Sequence, residues 1–225
     1  MHKKDIKILS IETSGSICGV ALMEDDKILF SENITEPNMH DKMLSSIVRK
    51  AMKQLDDNYN ELDSVAVSSG PGSFTGLRIG AALAKGLTFE TDTKLIAVPT
   101  IDAIAWHYLP NLTENNKEIL SVLIPSHKNL IYKRDFDANF NPLTEIELVK
   151  IDEILENVQT NHLFAGPGAK LIKTESIIQE SLTLDSKIIA KYAYKLYFDK
   201  SFVPSEDFVP LYVQDFVPKT KGFSK

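Results

Sequence analysis

The sequence is short of sulfur. Its 225 residues include one cysteine, Cys18, which rules out an intrachain disulfide and a thiolate-rich zinc site. Long hydrophobic runs are missing as well. No stretch approaches the roughly 18 apolar residues of a membrane helix, and Met1-His2-Lys3-Lys4-Asp5 leads only into a short strand-like run with no signal-type hydrophobic region. The expectation is a soluble cytoplasmic protein with no membrane contact. Positive charge is scarce: 25 Lys and Arg face 31 Asp and Glu, a net charge of -6. A protein that grips RNA alone concentrates cations against the phosphates, so RNA here is expected to be held mainly by another subunit. Lys219, Lys221 and Lys225 form a small basic tail that reads as a solvated end.

Catalytic signatures are also missing. There is no Gly-x-Ser-x-Gly elbow, no His-Glu-x-x-His and no P-loop ending in Gly-Lys-Ser/Thr. Cys18 lies in a strand-like run with no base nearby in sequence. His40 has Leu44, not a second ligand, one helical turn on, and His107, His127 and His162 lack ligand-type neighbours, so no metal site is expected.

What is present is core material, 43% hydrophobic residues, arranged in a legible order. Ile6–Ile11, Ile17–Met23 and Lys27–Asn33 read as three consecutive strands separated by the turn clusters Thr13–Ser16 and Glu24–Asp26. Helix and strand alternation follows: a helix over Asn38–Asp56, a strand at Ser64–Ser69, a helix over Thr75–Phe89 and a strand at Lys94–Val98. A third helix is expected to begin near Thr100 as its N-cap, with Asp102 in the first turn. A meander followed by such alternation implies a mixed α/β sheet that opens antiparallel and continues parallel. Leu109–Asn116 reads as a hinge between lobes. Beyond it, strands are expected at Glu118–Ile124, Leu130–Phe136, Leu143–Val149 and His162–Ala165, with helices at Ile151–Val158 and Ser186–Phe198. The expected domains are residues 1–110 and a smaller lobe of 111–225, with the tail 205–225 packing back on the body.

Two constellations stand out. Glu12-Thr13-Ser14 before Gly15 sets a carboxylate and two hydroxyls at a hairpin mouth, where metal-bound phosphate oxygens can be held. The same composition also suits an ordinary turn. The second runs from Ser68 to Arg78, with Gly70, Gly72, Gly76 and Gly80 around a strand-to-helix junction. It fits neither the P-loop nor the dinucleotide fingerprint. Gly76, Gly80 and Ala84 fall at four-residue steps and make a smooth stripe against which another backbone can pack. On the preceding helix, Met43 and Ile47 are read as an apolar flank that either completes a buried helix or awaits a partner.

The segment Ser69–Ala84, reading Ser-Gly-Pro-Gly-Ser-Phe-Thr-Gly-Leu-Arg-Ile-Gly-Ala-Ala-Leu-Ala, closely resembles the signature of the TsaB (YeaZ) family. Ile8–Ser14, Val20–Leu22, His40 ahead of Leu44, Gly166–Lys170 and Pro210–Tyr212 extend the likeness over nearly the whole chain. The resemblance implies the actin-like ATPase and sugar-kinase (ASKHA) fold, two lobes of mixed sheets flanked by helices with the second reduced. It implies a non-catalytic, dimerising and activating subunit of the tRNA N6-adenosine threonylcarbamoyltransferase complex, which modifies adenosine 37 of tRNA. Its implied partners are a TsaD-like catalytic subunit and a TsaE-like ATPase, with a homodimer as the other pairing and tRNA met only indirectly. No cofactor is expected to be bound firmly; ATP or ADP belongs to the interface of the complex. The partner surface falls on the first two helices, with Met39, Met43, Ile47, Arg78 and Ala82 as candidate contacts, and Glu12, Thr13 and Ser14 are the candidate nucleotide-binding residues. The chain departs from the family in carrying Glu12 where Asp is usual, Leu44 where catalytic relatives have a second histidine, and Gln214 where a basic residue is common. Pro125–Tyr132 replaces an Asp-Ala-Arg-x-x-Glu-Val-Tyr run and keeps only the tyrosine. The competing readings are an ATP-dependent transferase or kinase active alone, and a metalloprotease, which the absent histidine pair opposes.

Overall fold

The computed structural model describes residues 5–35, 40–156 and 160–213. Strands β1 (Lys7–Glu12), β2 (Cys18–Glu24) and β3 (Lys27–Ile34) form an antiparallel meander, and β4 (Ser64–Gly70) and β5 (Lys94–Pro99) add in parallel, giving the order β3-β2-β1-β4-β5. The change of direction has a simple cause. Short turns close antiparallel pairs, whereas each parallel return needs a helical crossover. Those crossovers are α1 (His40–Met52) and α2 (Phe74–Thr88). The first helix is shorter than its apolar period suggests, because the chain tightens into a 3-10 turn at Lys53–Leu55 and leaves it through Asp56 in the left-handed region.

The second sheet repeats the plan with fewer parts. Strands β6 (Ile119–Pro125), β7 (Leu130–Phe136) and β8 (Glu147–Lys150) form a meander, and β9 (His162–Ala165) pairs in parallel with β6. In place of a long first crossover stands α5 (Ile151–Glu156), and a single parallel bridge from Phe164 to Ile177 stands where a fifth strand would be. The expected strand at Leu143 starts four residues later, since Thr144 is drawn off to Arg134 and to the backbone of Asp135.

The two lobes are interlocked. Helix α3 (Thr100–Tyr108), from the first half, packs against β6 and β9, while α6 (Ser186–Phe198), from the second half, covers all five strands of the first sheet. One apolar core therefore runs through both, joining Ile8, Ile96 and Ile104 to Val122, Phe136 and Ile189. Although it follows residue 111, α6 thus closes the inner face of the first sheet, together with α3, which reaches β4 and β5. The expected hinge at 109–116 is instead the short helix α4 (Asn111–Glu114), with Leu112 buried in that shared core. On the opposite face of the first sheet, α1 and α2 bury Leu44, Ile47, Val48, Ala81 and Ala84 over Leu9, Ile11, Val65 and Val67.

The described part of the tail lies on the first lobe. Phe208 is buried in the core beneath α1 and α2, and the Leu211 N–H donates to Ser69 O at 2.7 Å. Residues Met39, Gln214, Lys219, Lys221 and Lys225 lie outside the described residues. No helix among the described residues is long and apolar enough to cross a membrane.

Candidate functional site

The fold brings together the two sequence constellations, which lie some sixty positions apart. Where β1 ends, the chain turns through Thr13 and Ser14; where β4 ends, it turns through Gly72 and Ser73 into α2. The Ser73 N–H donates to Ser14 O at 2.7 Å, and the Thr13 N–H donates to Ser68 Oγ at 3.2 Å. Ser73 also caps α2, its Oγ accepting from the Gly76 N–H at 3.3 Å. A β-carbon on Gly72 would stand 2.2 Å from Ser14 O, and one on Gly76 would stand 2.0 Å from Thr13 O. The smooth stripe does admit a close backbone, but that backbone is the chain's own first turn. Gly80 serves the same contact, facing Thr13 Oγ1, and Gly70 leaves β4 at a φ of 109°.

Thr100 joins this seam in an unexpected role. Pro99, not Thr100, sits at the N-cap of α3, without a side-chain cap bond. The Thr100 hydroxyl is buried and instead accepts from the Gly70 N–H at 3.2 Å, where the β4–β5 register shifts and the strand ladder leaves that donor unpaired.

Above the seam lies a cleft of about 470 Å³ between the lobes. Ser14, Gly15 and Ser16 line it from the first turn and Ser73 and Phe74 from the start of α2. The second lobe contributes Ser126, His127, Tyr132 and Lys170. The described lining contains two basic side chains, several hydroxyls and no carboxylate. Such a set suits the oxygens of a phosphate-type anion, with the N-terminal end of α2 adding to the field.

Of the three candidate nucleotide-binding residues, only Ser14 reaches the cleft. Glu12 and Thr13 are completely buried beneath its floor. Glu12 Oε1 accepts from both the N–H and the hydroxyl of Ser14, each at 2.6 Å. Oε2, like Thr13 Oγ1, has no hydrogen-bond partner among the described residues. The chemistry of a metal-bound nucleotide therefore does not fit this floor, because the one nearby acid is turned inward and committed to its own loop. The residues accommodate an anion's oxygens but offer no carboxylate to a divalent ion beside it.

Burial pushes the Glu12 carboxyl up to about 7 against the opposing bonds from Ser14. The folded protein thus holds a proton that the unfolded chain, titrating near 4.5, releases earlier. The resulting stabilisation is complete below the unfolded value and is lost as pH rises through about 7; it amounts to roughly 3 kcal/mol. Glu12→Gln is expected to flatten this part of the stability profile between pH 5 and 8. Urea denaturation across that range checks it, and an unchanged slope would exclude Glu12 as the source.

The remaining candidates sort by burial. Ile47 is 0% exposed and belongs to the core, so it is corrected as a partner contact: α1 packs that side against β2. Met43 is half-buried at the edge of the same core. On α2, Arg78 and Ala82 are exposed. Arg78 is engaged by its own chain, its guanidinium 3.9 Å from the centre of the Phe74 ring and its Nε donating to the Tyr212 hydroxyl at 3.3 Å. Sequence reasoning missed Ile79 and Leu83, half-buried beside Met43 on the outward flank. Their i, i+4 spacing was the available signal, masked by the glycine stripe next to it. Burial holds the Cys18 thiol up near 11, which leaves it unsuited to nucleophilic work at neutral pH.

Residues 35–205 match the family model described as TsaD: tRNA N6-adenosine threonylcarbamoyltransferase. The chain belongs to that family. Within it the kinship is to the TsaB (YeaZ) proteins. A Buchnera aphidicola (Acyrthosiphon pisum) protein named tRNA threonylcarbamoyladenosine biosynthesis protein TsaB is 28% identical over 76% of this chain and 79% of its own length. The Bacillus subtilis protein of the same name is 34% identical, over 44% of this chain and 43% of its own length. The family's fold is equally clear. YeaZ from Pseudomonas aeruginosa superposes with a TM-score of 0.75 at 20% identity, covering 92% of this chain and all of that one. A second structure, described as having similarity to peptidase YEAZ from the same organism, gives 0.74 at 19%. Among the described residues no three His, Cys, Asp or Glu side chains come together as a metal site.

Proposed function

We propose that this chain is a TsaB-type accessory subunit in tRNA threonylcarbamoyladenosine biosynthesis, one that activates a TsaD-like threonylcarbamoyltransferase and performs no chemistry alone. The observation that carries this reading is the cleft. A member of a transferase family has kept the interlobe cavity, yet its described lining offers no carboxylate and its nearest acid, Glu12, is sealed under the floor. A magnesium-bound nucleotide is held through one or two carboxylates in contact with the ion, and this lining offers none.

The partner surface in this reading is the outward flank of α1 and α2, where Met43, Ile79, Ala82 and Leu83 leave apolar or small side chains facing out. The catalytic subunit shares the fold and pairs there; when it is absent a second copy of this chain takes its place. A TsaE-like ATPase joins the assembly, and ATP or ADP is held at the interface of the complex. With a net charge of -6 the chain meets tRNA only through its partners. The assembly works in the cytoplasm.

The test is reconstitution. The purified chain is mixed with a TsaD-like transferase, a TsaE-like ATPase, tRNA, ATP and a threonylcarbamoyl donor, and modified adenosine is measured. The expected result is no ATP hydrolysis and no modification by the chain alone, and modification by the transferase only when the chain is present. Turnover by the isolated chain, or a transferase indifferent to its addition, would overturn the proposal.

A further inference from the structure

The outer helices are charged against the trend of the chain. The protein carries 31 Asp and Glu against 25 Lys and Arg. Yet the described side chains of α1, residues 43–52, include no carboxylate, and α2 has none along its length. Their charged residues are Arg49, Lys50, Arg78 and Lys85, all cations. Two of the four are answered within the chain. Lys50 pairs with Glu32 at 2.7 Å, and Lys85 Nζ donates to Glu206 O at 3.2 Å. Arg49 and Arg78 are exposed, and neither has an ion-pair partner among the described residues.

Arg78 is also held in place. Its guanidinium lies 3.9 Å from the centre of the Phe74 ring, and the Tyr212 hydroxyl accepts from Nε at 3.3 Å. The tail delivers that hydroxyl. Phe208 is buried in the core, the Leu211 N–H is bonded to Ser69 O, and the Tyr212 ring rests 5.0 Å from that of Phe74. A side chain with several rotatable bonds is thereby ordered before any partner arrives, so less freedom is lost on binding. Only Nε is engaged. The two terminal nitrogens have no partner among the described residues and form a planar fork, the geometry that takes a carboxylate bidentately. Arg78 stands one helical turn before Ala82, so the fork borders the outward apolar flank.

We propose that this flank selects a partner surface of negative charge, with Arg78 as the anchor that receives a partner carboxylate and Tyr212 as its positioning residue. The inference rests on the accessory-subunit reading and adds the chemistry by which the TsaD-like transferase is preferred over a second copy. Two copies paired on the same patch present the same residues to one another. Each Arg78 would then meet helices whose described side chains offer cations and no acid, leaving a desolvated charge unanswered. The carboxylates of the tail, Glu206 and Asp207, belong to the Lys85 end of α2, about 10 Å along the helix from Arg78. A chain that is acidic where this one is basic removes the cost.

Calorimetry with the cognate TsaD-like transferase between about 50 and 300 mM sodium chloride, beside sedimentation of the chain alone, tests this. The parent complex is expected to weaken about fivefold or more as salt rises. Arg78→Gln is expected to bind about tenfold more weakly at low salt and to lose most of that dependence. Arg78→Lys is expected not to restore it, since an ammonium lacks the fork. Tyr212→Phe keeps the ring beside Phe74 and removes only the hydroxyl, and a loss of about threefold is expected. Self-association is expected to move the other way, tightening about threefold in Arg78→Gln, where a merely structural role would weaken both pairings. None of the three variants replaces a buried side chain, so thermal melts are expected to match the parent. A complex that forms but ignores both salt and Arg78→Gln, or equal loss in both pairings, overturns the inference and leaves the accessory-subunit reading standing. So does tRNA binding by the isolated chain that Arg78→Gln abolishes, which would assign the fork to phosphate. Failure of the parent chain to bind the transferase at all overturns both.

Discussion

Ile47→Glu is expected to unfold the protein, whereas Ala82→Glu is expected to leave it folded and to prevent it from pairing with the proposed TsaD-like partner. The two positions sit on neighbouring helices, and a glutamate at either would disrupt an apolar partner surface if that surface included both. Their surroundings separate them. Ile47 is fully enclosed by the apolar core beneath α1. A charge buried there without compensation costs about 4 kcal/mol or more, a large part of the ~5–15 kcal/mol that keeps a domain of this size folded. Ala82 already faces solvent on α2, so the same substitution shifts stability by only about 0.5 kcal/mol in either direction. At a closed interface it leaves an unpaired, desolvated carboxylate. A loss of about a hundredfold in affinity is expected, equivalent to roughly 3 kcal/mol. Thermal melts followed by size-exclusion binding to a TsaD-like transferase check both. If Ile47→Glu melts like the parent and Ala82→Glu still binds, the assignment of inner and outer helix faces is wrong.

Gly76→Ala is expected to be strongly destabilising and Gly86→Ala mildly stabilising, although both lie on α2 and both exchange hydrogen for methyl. Helix propensity alone favours alanine by about 1 kcal/mol at either site. Position 86 gains that benefit because nothing stands within 4 Å of its new β-carbon. At position 76 the methyl would meet the Thr13 carbonyl oxygen at 2.0 Å, and the obstacle is backbone, which cannot rotate away. Overpacking of this kind costs about 1–3 kcal/mol after relaxation, and the displaced turn carries Ser14 with it. The Ser73–Ser14 bond and the cleft floor should therefore be lost together. Paired denaturation curves decide the matter: similar midpoints for the two variants would show that α2 does not press on the first turn.

Much of this was legible from residues alone because it rests on local rules. The three opening strands, the two crossover helices and the antiparallel-to-parallel change follow from strand alternation, turn composition and helical period. The signature at Ser69–Ala84 was long enough to carry the family. The second lobe was harder to read. Its strands are short, and Leu143–Ile146 has the apolar content of a strand but is held out of the ladder by Thr144, a contact with no marker in sequence.

The chain also repeats one strand plan, β1-β2-β3-β4 and β6-β7-β8-β9, without any repeat in its residues. That likeness exists only as topology, since many sequences satisfy the same pairing. By itself, then, the sequence determined the elements, the acidic surface and the family, because each depends on neighbours along the chain or on composition. Tertiary structure decided which face of each element is buried. It placed Ile47 in the core and left Ala82 outside, spent the glycine stripe on Thr13 and shut Glu12 under the cleft. It also returned α6 to the first sheet and held Arg78 between Phe74 and the Tyr212 hydroxyl. The physical reason is the same throughout: amphipathic period tells how wide an apolar stripe is, but only the packed neighbours fix what fills it.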